Sequence, residues 1–210
     1  MNIDLEKYIL QHIDAEDPVL KELDRYTHIN VLRPRMISGH LQGSILKMIC
    51  RMIQPQLALE IGAYTGYSAI CMIKGMTPTA HLHTIEKNDE LETTLKTFFA
   101  KAEVENQLTL HIGKALDIIP TLPNHFDFIF IDGDKREYPQ YYEAVFDKLK
   151  SGGFIVADNI LWDGKVAKPN MPDDAYTKGI MDFNQLVAQD KRVEKVILPL
   201  RDGLTLIRKK

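Results

Sequence analysis

The stretch LALEIGAYTGYS, residues 57–68, decides the fold. It begins with a short, mostly apolar run at Leu57–Ile61, turns through Gly62 and Gly66, and passes into a helix-like segment at Tyr67–Lys74. A buried strand that turns through glycines into a helix is typical of open α/β sheets, and such glycines let the backbone approach a ligand. The stretch therefore predicts a binding site beyond the carboxyl end of this first strand.

The alternation of strand and helix continues along the chain. The further segments are, for strands, His81–Glu86, Leu108–Ile112, Phe126–Ile131 and Phe154–Ala157, and, for helices, Asp89–Ala102, Ala115–Ile119 and Glu137–Lys150. Gly152 and Gly153 are expected to end the last of these helices. Nearly all-apolar strands that alternate with helices indicate a parallel sheet covered on both faces.

Both ends of the chain depart from this alternation. Residues 1–54 are mostly helical in period and are predicted to cap the sheet, to cover the site or to form a dimer contact. Near the other end, Val193–Leu200 and Leu204–Arg208 flank Asp202-Gly203, which is a hairpin signal. We therefore predict a doubly wound, Rossmann-like α/β sheet of seven strands, mostly parallel with an antiparallel C-terminal hairpin strand, in one domain over residues 1–210.

Composition excludes several classes of protein. The 210 residues are 45% hydrophobic and 26% charged, which rules out a disordered chain, a collagen-like repeat and a coiled coil. The net charge of −3 argues against a nucleic-acid partner, and no apolar run approaches the length of a membrane span. Cys50 and Cys71 form neither a disulfide framework nor a zinc set and are expected in the core. The acidic N-terminus does not resemble a signal peptide, so a cytoplasmic protein is predicted.

The glycine turn favours a nucleoside cofactor. Tyr64 stands where a GxGxxG dinucleotide motif has its second glycine, and the Gly-Lys-Ser/Thr ending of a phosphate-binding loop is missing. Glu60, just ahead of the turn, is expected to receive a cationic group. Glu86 ends the second strand, where an acid can accept hydrogen bonds from ribose hydroxyls. The alternative is a plain strand-to-helix turn with a surface glutamate.

Oxygen donors follow two other predicted strands. Asp132 and Asp134 come after the fourth strand, and Asp158 and Asn159 after the fifth. Carboxylate and amide oxygens suit a hard cation, Mg²⁺ or Ca²⁺, with water in the remaining positions. The alternative is that these acids cap the following helices, and Asp134 is expected to do only that.

Two other features have open interpretations. A long irregular stretch, Asp158–Asp173, interrupts the alternation, and loops of that length are often functional. Trp162 within it either walls a substrate pocket or packs the loop down. Residues 208–210 are expected to be a solvated basic tail.

Four motifs together resemble those of the cation-dependent O-methyltransferases, which include caffeoyl-CoA and catechol O-methyltransferases and small bacterial relatives. These motifs are EIGAYTGYS at 60–68, FIDGDK at 130–135, Asp158-Asn159 with Leu161-Trp162, and LPLRDGL at 198–204. The likeness runs in order from about Met36 to the C-terminus.

The resemblance implies S-adenosylmethionine as cofactor and a divalent cation. Mg²⁺ is the cation expected first, and Mn²⁺ or Ca²⁺ are the alternatives. The residues expected to line the cofactor site are Met36, Ser38, Glu60, Gly62, Ala63, Tyr64, Ser68, Glu86, Ala115 and Asp132. The resemblance makes Asp132, Asp158 and Asn159 the metal ligands and Lys135 the catalytic base, with Asp132 as a second catalytic residue. It also implies a catechol-like small molecule as methyl acceptor and a homodimer.

The chain departs from the family at two points. The glutamate that holds the second hydroxyl in catechol O-methyltransferase has no clear counterpart, because Val196 falls about there and Glu194 is expected to face elsewhere. Residues 1–35 match no part of the family pattern. Both departures leave the acceptor open.

Three other functions compete with methyl transfer. Asp132-Gly133-Asp134 after an apolar strand also suggests a metal-dependent phosphatase, although Arg136 stands where that family usually has Thr or Val. A nicotinamide dehydrogenase conflicts with the glycine spacing. A non-catalytic cofactor-binding protein stays open, as do the acceptor, the regiochemistry and the metal.

Overall fold

The computed structural model describes residues 3–168 and 174–210 and has a seven-stranded sheet in the order β3-β2-β1-β4-β5-β7-β6. Its strands are β1 (Leu57–Ile61), β2 (His81–Glu86), β3 (Leu108–Ile112), β4 (Phe126–Ile131), β5 (Leu149–Asp158), β6 (Val193–Leu198) and β7 (Leu204–Lys209). Strands β1 to β5 pair in parallel, and β7 runs antiparallel to both of its neighbours. This confirms the predicted mixed sheet with its antiparallel hairpin strand.

Helices cover both faces of the sheet. They are α1 (Ile3–Gln11), α2 (Pro18–Asn30), α3 (Gly39–Ile53), α4 (Tyr67–Ile73), α5 (Glu92–Lys101), α6 (Ala115–Ile118), α7 (Tyr138–Phe146) and α8 (Ala175–Gln189). Successive strand residues point to opposite faces, so Phe128 and Phe130 join the core under α2 to α5, whereas Ile129 and Ile131 join the core under α6 to α8. Helices on both faces were predicted and are confirmed.

The N-terminal segment packs on the sheet of its own chain. Asp17 caps α2 by accepting a hydrogen bond from the backbone N–H of Val19 at 2.9 Å, and Pro18 fits the first turn, where no N–H is needed. Leu23 of α2 and Leu46 of α3 are fully buried in the core. Helices α2 and α3 therefore cover one face of the sheet, as was expected for part of the N-terminal segment. Cys50 and Cys71 are buried, as predicted.

The boundary between α7 and β5 was predicted wrongly. The helix ends at Phe146 rather than Lys150, and Gly152 and Gly153 lie inside β5. The pairing of β4 with β5 shifts register here, because Phe126 pairs with Leu149 whereas Phe128 pairs with Phe154. Gly152 has a φ of +81°, which a bulged strand accommodates with glycine. The two glycines that were expected to stop the helix therefore belong to an irregular part of the strand.

The basic C-terminal residues are not the solvated tail that was expected. Lys209 lies in β7, and its Nζ donates to the carbonyl oxygens of Phe146 and Leu149, each at 2.7 Å. Arg208 pairs with Glu194 across the hairpin at 3.0 Å. Lys209 ties the last strand to the end of α7 and the start of β5, and Arg208 ties it to β6.

Candidate active site

The carboxyl ends of β1, β4 and β5 meet at one edge of the sheet, because these strands are parallel neighbours. Gly62 follows β1, and Asp132 follows β4. A Cβ built on Gly62 would lie 2.3 Å from the carbonyl oxygen of Asp132, and the φ of Gly62 is +99°. Only glycine allows these two turns to approach so closely.

A cleft opens above these turns. It is lined by Met36, Ile37, Ser38, Gly62, Ala63, Tyr64, Thr65, Tyr67, Ser68 and Asp132. Seven of the ten residues predicted for the cofactor are among them, since only Glu60, Glu86 and Ala115 are not. The hydroxyl of Tyr64 donates to the carbonyl of Leu32 at 3.0 Å and so ties the glycine turn to the N-terminal segment.

Glu86 braces the glycine turn from the neighbouring strand. Its Oε2 accepts from the backbone N–H of Tyr64 at 2.7 Å, and its Oε1 accepts from the N–H of Asn88 at 2.8 Å. Burial raises the pKa of Glu86. Ala115 begins α6 after β3 and is buried. Both residues lie at the same sheet edge as the cleft, on the side of β2 and β3.

Glu60 lies behind the cleft rather than in its wall. The side chain is fully buried, and its two oxygens accept from the hydroxyls of Ser68 and Thr84, each at 2.5 Å. Burial raises the pKa of Glu60 to about 7. Ser68 stands between Glu60 and the cleft, so contact of this carboxylate with a cationic group stays a prediction.

Asp132 follows β4, and Asp158 is the last residue of the adjacent strand β5, so both lie at the expected sheet edge. Asp158 is buried; its Oδ1 accepts from the backbone N–H of Asn159 at 2.7 Å, and its Oδ2 accepts from Nε2 of Gln42 at 2.6 Å. Burial, with the repulsion of the Asp132 carboxylate, raises the pKa of Asp158 to about 6. Burial also raises the pKa of Asp202, to which the charge of Asp158 contributes.

The donor set fits a hard cation. Asp132, Asp158 and Asp202 concentrate negative charge at this edge, and Lys135 pairs with only one of them. Among residues 3–168 and 174–210, no group of three or more His, Cys, Asp or Glu side chains is arranged to hold a metal. The predicted set contains two carboxylates and the amide of Asn159, an all-oxygen combination that Mg²⁺ accepts when water completes its coordination.

Lys135 is buried beside Asp132. Its Nζ donates to Oδ1 of Asp132 at 2.6 Å and to the hydroxyl of Tyr138 at 2.9 Å. That hydroxyl in turn donates to the main-chain carbonyl of Asp158 at 3.0 Å. Lys135 is therefore held between the ends of β4 and β5, where the metal set was predicted.

Asp134 is a helix cap, as expected. Its side chain accepts from the backbone N–H of Arg136 at 3.2 Å and pairs with Lys87 and Arg136 at 2.8 and 2.6 Å. The Arg136 guanidinium, which is the largest influence, holds the pKa of Asp134 well below its usual range. This carboxylate starts the turn that carries Lys135.

An aromatic and cationic stack stands beside this edge. Trp162 and Tyr176 are stacked with ring centroids 6.1 Å apart, Arg136 lies 4.9 Å from the Tyr176 ring, and Nζ of Lys165 lies 5.7 Å from the Trp162 ring. Trp162 belongs to the long stretch after β5, of which residues 169–173 lie outside the described residues. The buried Nε1 of Trp162 has no hydrogen-bond partner in the described parts of the chain.

Sequence reasoning missed Gln42 and Arg201. Gln42 lies on α3, and Arg201 lies in the turn between β6 and β7, where its NH1 donates to Oε1 of Gln42 at 2.9 Å. The available signal was a polar residue on the buried, otherwise apolar face of an amphipathic helix. The hairpin signal at residues 202–203 drew attention to the turn but not to the arginine before it.

Comparison with known proteins identifies the family. A family model described as O-methyltransferase matches residues 11–210, so the expectation that residues 1–35 match no part of the family was wrong from residue 11 onward. The probable caffeoyl-CoA O-methyltransferase 2 of Dictyostelium discoideum is 32% identical, over 99% of this chain and 92% of the relative. The caffeoyl-CoA O-methyltransferase of Mesembryanthemum crystallinum is 35% identical, over 80% of this chain and 70% of the relative.

Solved structures agree with this assignment. The O-methyltransferase TomG from Streptomyces achromogenes, involved in tomaymycin synthesis and solved in complex with SAM, has a TM-score of 0.92 and 28% identity, covering 99% of this chain and 96% of that one. The O-methyltransferase from Bacillus cereus in complex with SAH has a TM-score of 0.92 and 26% identity, covering 99% and 97%. The resemblance predicted from the motifs is confirmed, and the chain belongs to the O-methyltransferase family.

Proposed function

We propose that this O-methyltransferase transfers a methyl group from S-adenosylmethionine to one hydroxyl of a catechol-like small molecule, with the help of a divalent cation. The observation that carries the proposal is the position of Asp132. It lines the cleft beside the glycine turn and also stands next to Lys135 and the buried Asp158. A methyl donor and an oxygen nucleophile bound on either side of Asp132 would be close enough for direct transfer, which depends largely on positioning.

The cofactor half of the proposal rests on the cleft and on two structural relatives. TomG is in complex with SAM, and the Bacillus cereus enzyme is in complex with SAH. In this chain Gly62 and Ala63 supply backbone close to a ligand, and Glu86 stands at the end of β2, where ribose hydroxyls are accepted in nucleoside sites. Met36 and Ser38 close the cleft from the N-terminal side.

The metal half rests on the donor set. Asp132, Asp158 and Asn159 would hold the cation, Mg²⁺ first and Mn²⁺ or Ca²⁺ as alternatives. When bound, such a cation lowers the pKa of a hydroxyl and fixes its direction. Nζ of Lys135, in its uncharged amine form, would take the proton that leaves the hydroxyl, and the carboxylate of Asp132, 2.6 Å away, would stabilise the ammonium formed.

The acceptor class rests on two stacked aromatic side chains next to the turn that carries Lys135. The stacked rings of Trp162 and Tyr176 offer flat apolar surface next to Arg136 and Lys165, which suits a planar aromatic acceptor with polar substituents. Several relatives are named caffeoyl-CoA O-methyltransferases. We propose an acceptor with two adjacent hydroxyls, because paired oxygens can bind one cation together.

Assembly as a homodimer belongs to the proposal as well. Met48 and Met52 on α3 leave 52% and 71% of their surface exposed. Met52 lines an open groove between α3 and the sheet, together with Ile53 and Leu206. Burial of this apolar surface would favour a second copy of the chain. Light scattering should give twice 24 kDa at micromolar concentration, and a 24 kDa species would contradict the dimer.

The described residues include no helix that is both long and apolar enough to cross a bilayer. Location in the cytoplasm and the absence of nucleic-acid partners stay predictions from the sequence.

Transfer of labelled methyl from S-adenosylmethionine to a panel of phenols tests the proposed function. Catechols should become labelled in the presence of Mg²⁺, and their mono-methyl ethers should not, because they lack the second free hydroxyl. Labelling of both at equal rates would contradict the paired-oxygen mechanism. Phosphate release from aryl phosphates without methyl transfer would favour a phosphatase, against which the family match over residues 11–210 argues.

A further inference from the structure

We propose that Gln42 is a positioning residue that holds the carboxylate of Asp158 in the orientation needed for the cation, and that Arg201 fixes the orientation of Gln42. The inference rests on the proposed function, in which Asp158 is a metal ligand. It adds two residues from opposite ends of the chain to the metal half of the site.

The carboxylate of Asp158 is held at both oxygens. Nε2 of Gln42 donates to Oδ2 at 2.6 Å, and the backbone N–H of Asn159 donates to Oδ1 at 2.7 Å. Two donors on opposite oxygens prevent rotation of the carboxylate plane. Each oxygen keeps lone pairs free for a further partner, because a carboxylate has about four acceptor positions in all.

Arg201 determines which way the amide of Gln42 points. An amide can be turned by half a rotation, which exchanges its donor and its acceptor. NH1 of Arg201 donates to Oε1 of Gln42 at 2.9 Å and also to the main-chain carbonyl of Ser38. Since a guanidinium has donors only, the amide oxygen must face Arg201 and the amide nitrogen must face Asp158.

Packing alone gives no reason for a glutamine at this position. The side chain of Gln42 is 3% exposed, and the same helix face buries Leu46, Ile49 and Cys50. A buried amide costs free energy unless it is hydrogen-bonded, and an apolar side chain of similar length would fill the space without that requirement. The contact with Asp158 supplies the chemical reason for a polar residue here.

Manganese binding followed by electron paramagnetic resonance tests the inference without relying on turnover. Gln42→Met keeps the length of the side chain and removes the donor to Asp158. Because residues that orient metal ligands typically contribute 10–100-fold to metal affinity, we expect Gln42→Met to weaken Mn²⁺ binding by about that factor. Arg201→Met should weaken it less, since Gln42 remains.

A second readout separates positioning from general damage. The affinity for S-adenosylhomocysteine in EDTA, measured by calorimetry, should be the same in Gln42→Met as in the wild type, because Gln42 does not line the cleft. Gln185→Met is the matched control, since Gln185 is exposed on α8, and both affinities should stay at wild-type values.

The outcomes distinguish this inference from the function on which it rests. Wild-type protein that fails to bind Mn²⁺ would overturn the proposed metal and the role of Gln42 with it. Wild-type binding together with undiminished Mn²⁺ affinity in Gln42→Met would overturn the positioning role alone. Should Gln42→Met fail to fold, Arg201→Met provides the test, because Arg201 is exposed. Undiminished Mn²⁺ affinity in Arg201→Met would then overturn the inference.

Discussion

The two halves of the candidate site are built in different ways. The cofactor half is mainly backbone: the turn at residues 62–66 is held by glycine and by a main-chain N–H that donates to Glu86. The proposed metal half consists of side chains. Gln42 donates to the carboxylate of Asp158, and Lys135 is held by Asp132 and by the hydroxyl of Tyr138. A site built from backbone should tolerate the loss of a single side chain, whereas a network of side chains should lose its function when one member is removed.

The largest effect is expected at Asp158. Asp158→Ala removes a carboxylate from the proposed metal set, so turnover should vanish, while affinity for S-adenosylmethionine should stay nearly intact because Asp158 does not line the cleft. Methyl-transfer rates and calorimetry measure the two properties. Asp182→Ala, at an exposed position on α8, is the control. Equal loss of cofactor affinity and turnover would mean that the two halves are not separable.

Substitution of Lys135 tests the proton transfer that is proposed for the metal half. Lys135→Ala should lower kcat by about 10²–10⁴-fold, the usual contribution of a general base. Lys191→Ala, at an exposed position far along the chain, should leave kcat unchanged. An unaltered kcat in Lys135→Ala at saturating substrate would show that Nζ of Lys135 does not move the proton.

In the cofactor half, the sensitive element is the backbone. Gly62→Ala should destabilise the protein by about 2–5 kcal/mol, because positive φ and overpacking both oppose a Cβ there. Gly164 is a matched control with a φ of +69° and no atom within 4 Å of an added Cβ. Gly164→Ala should therefore lower the free energy of unfolding only by the cost of a positive φ. Urea unfolding measures both, and equal losses would refute the close approach of the two turns.

Glu60 provides the smallest expected effect and a pH dependence. Its pKa is about 7 in the folded protein and 4.5 in a free side chain, so the folded state favours the protonated form. The ionised carboxylate therefore destabilises the protein increasingly as pH rises from about 4.5 to 7, and fully above that. Without bound cofactor, Glu60→Gln should be more stable than wild type by about 3 kcal/mol at pH 8 and by less than about 1 kcal/mol at pH 5.

The measurement is the free energy of unfolding at the two pH values. Glu143→Gln changes an exposed carboxylate on α7 and should show no such pH dependence. Parallel stability curves for Glu60→Gln and wild type would contradict the raised pKa.

The same division explains what the sequence could predict. Strands β1 to β4 and the glycine turn are local patterns of apolar residues and turn residues, and their bounds were predicted correctly. The convergence of residues 132 and 158 followed from parallel strand order. The contact between Gln42 and Asp158 joins residues 116 positions apart, so no local pattern contains it.

The error at Gly152-Gly153 has a physical cause. Glycines after a helix-like segment end helices, but they also permit bulges in strands, and local sequence does not distinguish the two. The pairing of Phe128 with Phe154 places both glycines inside β5, and that pairing depends on the whole sheet.

Methyl transfer to a catechol with and without cation tests the central claim most directly. The same preparation is assayed in EDTA and again after Mg²⁺ is restored, with S-adenosylhomocysteine affinity measured by calorimetry in both conditions. We predict that transfer stops in EDTA and returns with Mg²⁺, while cofactor affinity is unchanged. Transfer at full rate in EDTA would contradict the account and would leave Asp132, Asp158 and Asn159 as structural residues only.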